Sequence, residues 1–210
     1  MIRFLSCCFA IVLIAGCAQT TPDAPLENLG AFRLGHNVVV ADKVQKVPGS
    51  RDARPEDWVS AMTQAVEDRF GQYQGNQLYH LGISIEGYNL AGPGIPIVLA
   101  PKSVVAVNVT VWDDAAGVKL NDEVKTFTVF ETTTAGSAAV GSGYVRSKDE
   151  QIKGLVANAV GQIEDWMLEE RAANGWFDPR PGAATDVVIS RPGAAPAEIE
   201  EAAVETPQDG

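Results

Sequence analysis

An alternating row of valines in the middle of the chain constrains the fold more than any other feature. The valines are every second residue of one stretch: Val105, Val107, Val109 and Val111. Successive side chains of a β-strand point to opposite faces of the sheet, so this pattern predicts a strand with one buried face. If the valine row is buried, Trp112 lies on the other face and is at least partly exposed.

Three further segments have strand patterns. Val38, Val39 and Val40 predict a first strand, and residues 79–86 alternate apolar and polar side chains. After the valine row, residues 113–117 form a hairpin turn, and the chain returns through residues 118–130. The alternation slips between Leu120 and Phe127, which a bulge near Asn121 and Asp122 would explain.

Two segments have helical periodicity. The first begins at Pro55, and its apolar residues recur every three or four positions up to Phe70, where Gly71 follows. The second begins with a capping-box pattern at Ser147 and Glu150 and ends near Gly175. The element order is therefore β-α-β-β-β-α. We expect an α+β fold, with an antiparallel sheet of three to four strands and the two amphipathic helices packed on one face.

Composition divides the chain into four parts. Residues 1–16 are an apolar leader, and residues 17–35, with several prolines and glycines, are predicted to form a tether. Residues 36–177 carry the hydrophobic patterning of one α+β domain. In residues 178–210 Pro, Ala, Gly and Glu dominate, which predicts a disordered acidic tail. Within that tail, Val187, Val188 and Ile189 form a short apolar run that could add a strand to a sheet edge.

The charge of the chain excludes one class of partner. The formal net charge is −11, and the charge without residues 1–16 is −12, because Arg3 is the only charged residue there. Nucleic-acid binding requires a basic face, so we expect no nucleic-acid partner.

The N-terminal segment has the layout of a secretory leader. Arg3 precedes an apolar run over residues 4–15, and Gly16 is followed by Cys17. This order resembles the lipobox of bacterial lipoproteins. The resemblance implies cleavage before Cys17 and attachment of lipid to that residue. Because Ala18, and not Asp, follows the cysteine, the resemblance also implies the periplasmic face of the outer membrane. Fifteen or so tether residues would let the domain reach about 50 Å from the bilayer.

In size and element order the chain further resembles small outer-membrane lipoproteins with an α/β domain on a tether. Among them are the penicillin-binding-protein activator lipoproteins and the auxiliary lipoproteins of lipid-transport systems. No functional residue is carried over from these families. Cys7 and Cys8 lie in the leader, so Cys17 would be the sole cysteine of the mature chain. A disulfide and a zinc site built on thiolates are then excluded.

The remaining inventory does not predict catalysis. The two histidines, His36 and His80, are distant in sequence, and no G-x-S-x-G pattern is present. His80, Ser84 and Glu86 share one strand face, but side chains two positions apart point in parallel, so we interpret them as a polar face. The acidic residues around the hairpin turn lack EF-hand spacing and predict a solvated turn. We therefore expect no enzyme, no cofactor and no metal site.

An apolar loop offers a possible contact for another protein. Gly92, Pro93, Ile95 and Pro96 begin it, and it either caps the sheet core or forms an exposed interface. Trp176, at the end of the second helix, permits the same two interpretations, and Trp112 is a third candidate contact. We expect a non-enzymatic envelope lipoprotein that binds or helps assemble a protein partner. A lipid-binding auxiliary lipoprotein of a transport system, or an envelope hydrolase, remains the alternative.

Overall fold

The described residues of the domain form six strands and two helices. The structure, a computed structural model, describes residues 25–92, 102–132 and 146–180. The strands are β1 (Phe32–Val40), β2 (Gln45–Lys46), β3 (Gln77–Asn89), β4 (Val104–Asp113), β5 (Val118–Lys119) and β6 (Lys125–Phe130). Helix α1 (Pro55–Phe70) lies between β2 and β3, and helix α2 (Lys148–Asn174) follows β6.

The sheet is mixed, and two details of the predicted sheet are wrong. It has six strands instead of three or four, and β1 and β2 run parallel to β3, while β4 is antiparallel to β3, β5 and β6. The parallel pairing follows from α1, which carries the chain back across the sheet before β3 begins. Such a crossover returns a strand in the same direction, whereas a tight turn reverses it.

The return strand is interrupted at Asn121, where the sequence predicted a bulge. β5 and β6 pair with successive parts of β4, and the Asn121 side chain fills the space between them. Its Oδ1 accepts from the Val111 N–H at 2.9 Å, and its Nδ2 donates to the Val109 carbonyl at 3.0 Å. A buried side-chain amide therefore satisfies two backbone groups that a continuous strand would have paired.

Both helices cover the face of the sheet that holds the valine row. We call this the inner face: its β4 residues, Val105, Val107, Val109 and Val111, are fully buried. Trp58 and Met62 of α1 and Leu155 of α2 are also fully buried in the same cluster. The predicted capping box at Ser147 and Glu150 is confirmed, and α2 ends at Gly175 with φ 69°.

A buried ion pair joins the two helices to the start of the described chain. Arg69 Nε donates to both carboxylate oxygens of Glu164 at 2.9 and 2.8 Å, and the Tyr73 hydroxyl donates to the same carboxylate. Burial, and then the bond to Glu164, raises the pKa of Tyr73 far above its usual range. Arg69 also donates to the Pro25 carbonyl at 3.1 Å. Buried residues begin at Leu29, within the range predicted as tether.

Candidate functional site on the outer face of the sheet

The outer face of the sheet, opposite the helices, carries an open groove of about 330 Å³. The alternation that buries the valine row turns the intervening β4 residues outward. The groove lining combines three strands with the segment before β6: Val38, Val40, Gly82, Ile83, Ser84, Glu86, Asn108, Thr110, Trp112 and Val124. We call this the outer groove.

The rim of the outer groove is apolar and exposed. Val38 and Val40 belong to β1 and Trp112 to β4, and Val124 is the residue before β6. Their exposed fractions are 55%, 41%, 42% and 51%. Large apolar side chains are usually buried, and an exposed group of them in one concave place is an unusual arrangement for a protein surface.

The floor of the groove is formed by small side chains. Val38 and Thr110 flank Gly82 in register on its two neighbouring strands. A Cβ built at Gly82 would meet only the Thr110 carbonyl oxygen, at 3.9 Å. The absence of a side chain at Gly82 therefore makes the depression, and no steric clash in the fold requires glycine there. Ser84 pairs with Asn108, whose Oδ1 accepts from the Thr126 hydroxyl at 2.6 Å.

A histidine pair lies at the Trp112 end of the groove. His80 is in register with Trp112, and its ring centroid is 4.7 Å from that of His36. His80 Nδ1 accepts from the His36 backbone N–H at 2.8 Å, so the neutral ring carries its proton on Nε2 and donates to Asp114 Oδ1 at 2.9 Å. Both ring nitrogens are occupied, and neither is free to accept a proton from Ser84.

Asp113, at the end of β4, forms an ion pair with Arg180, the last described residue. The carboxylate of Asp113 is paired with the guanidinium of Arg180 and accepts from the Ala116 N–H at 2.9 Å. Desolvation acts to raise the pKa of Asp113, but these hydrogen bonds outweigh it and hold the pKa below its usual range. Arg180 therefore fixes the end of the described chain at the end of β4.

The structure separates the candidate contacts named from the sequence. Trp112 is on the rim of the outer groove, as the alternation predicted. Gly92 follows β3 at the opposite end of the sheet, where the neighbouring Ala91 carbonyl accepts from Gln151 of α2. Pro93, Ile95 and Pro96 lie outside the described residues, as does Cys17.

Trp176, which the sequence leaves as either part of the core or a partner contact, is buried in the core. Its side chain is only 8% exposed, because its ring packs at 5.2 Å from Trp166 and 5.8 Å from Phe177. Of the two interpretations of Trp176, this burial favours the core. The aromatic pair that ends α2 belongs to the core, where edge-to-face ring contacts stabilise it.

The sequence interpretation missed most of the groove. The sequence predicts a strand at Val38 and Val40 but not which face of the sheet their side chains occupy. It places Val124 in the return strand. The only signal for the groove is the alternation of β4 itself, because the rim residues of β1 lie more than 70 positions before those of β4 and meet them only through the strand pairing.

Comparison with known proteins gives distant likenesses in fold. No family model and no curated protein matches the chain. Among solved structures, a protein of the family DUF330 from Xanthomonas campestris is 13% identical, with a TM-score of 0.41, and the match covers 71% of this chain and 94% of the other.

Two others have similar values. PelC from Paraburkholderia phytofirmans is 13% identical, with a TM-score of 0.31 and coverage of 64% and 92%. A minor lipoprotein from Acinetobacter baumannii is 14% identical, with a TM-score of 0.26 and coverage of 64% and 94%. At these values the likenesses do not bear on function.

Two other features are absent from the described ranges. Residues 25–92, 102–132 and 146–180 contain no group of three His, Cys, Asp or Glu side chains that could hold a metal ion. Neither α1 nor α2 is long and apolar enough to cross a membrane.

Proposed function

We propose that this protein is a lipid-anchored, non-enzymatic factor of the bacterial cell envelope that binds or helps assemble a protein partner. The observation that carries the proposal is the outer groove, with four exposed apolar side chains around a floor of small polar ones. Concave, partly apolar surfaces of this kind are typical of protein contacts.

The groove chemistry suits an extended peptide segment. Ser84, Asn108 and Thr110 offer hydroxyl and amide groups along the floor, while the valines and Trp112 offer apolar area on both sides. Amphipathic Trp side chains are enriched among the residues that dominate protein interfaces. An extended partner segment would direct every second side chain into the groove, where it would contact both the rim and the floor.

The two alternatives have less support. A lipid-binding role requires an apolar space between the sheet and the helices, and there Trp58, Met62 and Leu155 are fully buried against the sheet. A hydrolase requires a free base beside a nucleophile, and both nitrogens of His80 are already hydrogen-bonded. A binding role accounts for the exposed groove without either requirement.

The anchor in this proposal is the lipidated Cys17, on the periplasmic face of the outer membrane. Because Arg69 holds the Pro25 carbonyl against the helices, only seven residues, or eight Cα-to-Cα steps, separate Cys17 from the domain. Their extended reach is about 26–29 Å, half of the distance estimated from the sequence. The domain would therefore stay close to the bilayer.

Site-specific photocrosslinking in intact cells tests the proposal. A photoreactive amino acid at Thr110, on the groove floor, is expected to give discrete protein adducts, and one at the exposed Ser60 of α1 is not. Val40→Glu should abolish the Thr110 adducts, because it places a charge on the apolar rim. Val47→Glu is the matched control: Val47 is 47% exposed but lies outside the groove lining.

Both glutamate variants are expected to change the free energy of unfolding by less than about 0.5 kcal/mol, since both sites are exposed. The same probe in a Cys17→Ser background should lose adducts that depend on membrane attachment. If Thr110 gives no adducts, or if Val47→Glu removes them as completely as Val40→Glu, the groove is not the partner contact.

A further inference from the structure

The last described residues run across the end of the sheet in a fixed order. The Phe177 carbonyl accepts from the Ala31 N–H, next to β1, at 2.8 Å, and the Asp178 carbonyl accepts from Gln77 Nε2, at the start of β3, at 3.0 Å. Arg180 then pairs with Asp113, at the end of β4. The described chain therefore passes β1, β3 and β4 in turn and ends at the pair with Asp113, the residue that follows Trp112 in β4.

The conformation of Phe177 fixes this path. Its φ is 62°, in the left-handed region that a bulky side chain seldom occupies, and its ring is almost fully buried against Phe32 and Tyr79. Aromatic packing on both sides holds the backbone in this conformation. The position of the last described residues, up to Arg180, is thus set by the core.

We infer that the apolar run formed by Val187, Val188 and Ile189 docks in the outer groove of its own chain. Six residues lie between Arg180 and Val187, so Val187 is seven Cα-to-Cα steps from Arg180, a reach of at most about 25 Å. Along β4, Asn108 lies four residues beyond Trp112, or about 14 Å. The whole groove is therefore within reach of the run from the point where Arg180 is fixed.

The chemistry of the run matches the groove. Residues 187–189 are the only three consecutive large apolar side chains after Arg180, and all three are β-branched, which favours an extended backbone. In an extended segment Val187 and Ile189 point to the same side. They would cover the exposed valines and the Trp112 ring on the rim.

A charge pair supports the same orientation. Glu86 is the only charged residue that lines the outer groove, and it lies at the end away from Trp112. Arg191 is the only basic residue between positions 181 and 210, and it follows Ile189 by two positions. A segment that enters beside Trp112 and runs along β3 brings Arg191 to Glu86.

This inference goes beyond the proposed function, because it concerns the occupant of the groove in the isolated protein. The tail would cover the surface that we propose for a partner, so a partner would have to displace it. The crosslinking experiment requires a partner, whereas the following one requires only the purified chain. The crosslinking experiment can therefore contradict the proposed function, and the experiment on the purified chain can contradict the inference, each independently of the other.

Tryptophan fluorescence tests the inference directly. Of the four tryptophans, Trp58, Trp166 and Trp176 are at most 8% exposed, so collisional quenching by acrylamide reports on Trp112. The full chain, reconstituted in phosphatidylcholine vesicles, is compared with the triple variant Val187→Ser, Val188→Ser and Ile189→Ser. We expect the triple variant to have the larger quenching constant and a red-shifted emission.

Three controls make the result specific. Ala202→Ser, Ala203→Ser and Val204→Ser, combined in one variant, should quench like the parent chain. Trp112→Phe should remove the difference between the parent and the triple variant. Arg191→Glu should increase quenching and Arg191→Lys should not, because only the first reverses the charge that faces Glu86.

Two results would overturn the inference. Equal quenching of the parent and the triple variant would mean that residues 187–189 do not cover Trp112. Protection of Trp112 that grows with protein concentration would mean that a second copy of the chain, and not the chain's own tail, occupies the groove.

Discussion

The same strands form a buried inner face and an exposed outer face of the sheet. On the inner face, Val109 and Val111 of β4 are fully buried beneath the helices, while on the outer face the intervening Thr110 and Trp112 line an open groove. A shift of one residue in the strand pairing would exchange the two sets. The stability of the core therefore fixes the geometry of the groove, although the four rim side chains are themselves exposed.

A matched pair of tryptophan substitutions gives the largest expected difference between the faces. Trp58→Ala should lower the free energy of unfolding by about 3–5 kcal/mol, because it leaves a cavity against Tyr88, whose ring centroid is 5.2 Å away. Trp112→Ala, at a side chain that is 42% exposed, should lower it by less than about 1 kcal/mol. Urea titrations followed by circular dichroism measure both values. Equal losses would mean that the outer face is part of the stabilising core.

The buried ion pair beneath the inner face gives the next effect. Glu164→Gln leaves the Arg69 guanidinium buried without its counter-charge, and we expect a loss of about 3 kcal/mol in the free energy of unfolding. The double variant with Arg69→Met should be more stable than Glu164→Gln alone, because no uncompensated charge is then buried. If the loss in the free energy of unfolding of the double variant equals the sum of the losses of Glu164→Gln and Arg69→Met alone, Arg69 and Glu164 are not coupled.

The smallest effect concerns Asp113, where the two faces meet at the end of β4. Its pKa in the folded state is below the unfolded value, so its contribution to stability is present above about pH 4 and is lost as pH falls through the folded pKa. Asp113→Asn should lower the free energy of unfolding at pH 7 by about 1 kcal/mol. It should also make the decline in the free energy of unfolding below about pH 4 shallower. Urea titrations at several pH values measure this slope, and an unchanged slope would contradict the assignment.

Local patterns predicted the elements of the fold but not their arrangement. The apolar spacing from Trp58 to Phe70, and the capping box at Ser147 and Glu150, depend on neighbours within four residues, and both helices lie where those patterns placed them. The direction of β1 depends on how α1 crosses the sheet. That information is absent from the alternation within β1 itself.

For the candidate site, too, local sequence patterns predicted only what depends on neighbouring residues. Exposure of Trp112 follows from the alternation of β4 alone, and the sequence predicted it. The burial of Trp176 depends on Trp166 and Phe177, and the sequence left that residue as either core or contact. The position of Asn121 as a substitute for strand hydrogen bonds also requires the neighbouring strand, because its partners are ten and twelve residues away.

The sequence by itself determined the α+β class, the two helices with their ends, and which face of β4 is buried, because each of these depends on side chains close together in the chain. Only the tertiary structure decided the parallel pairing of β1, the Arg69–Glu164 pair across 95 residues, and the outer groove. Each of these joins residues distant in sequence, and their meeting is set by the packing of the whole domain. No local pattern encodes that packing, because the same strand can pair in either direction at similar local cost.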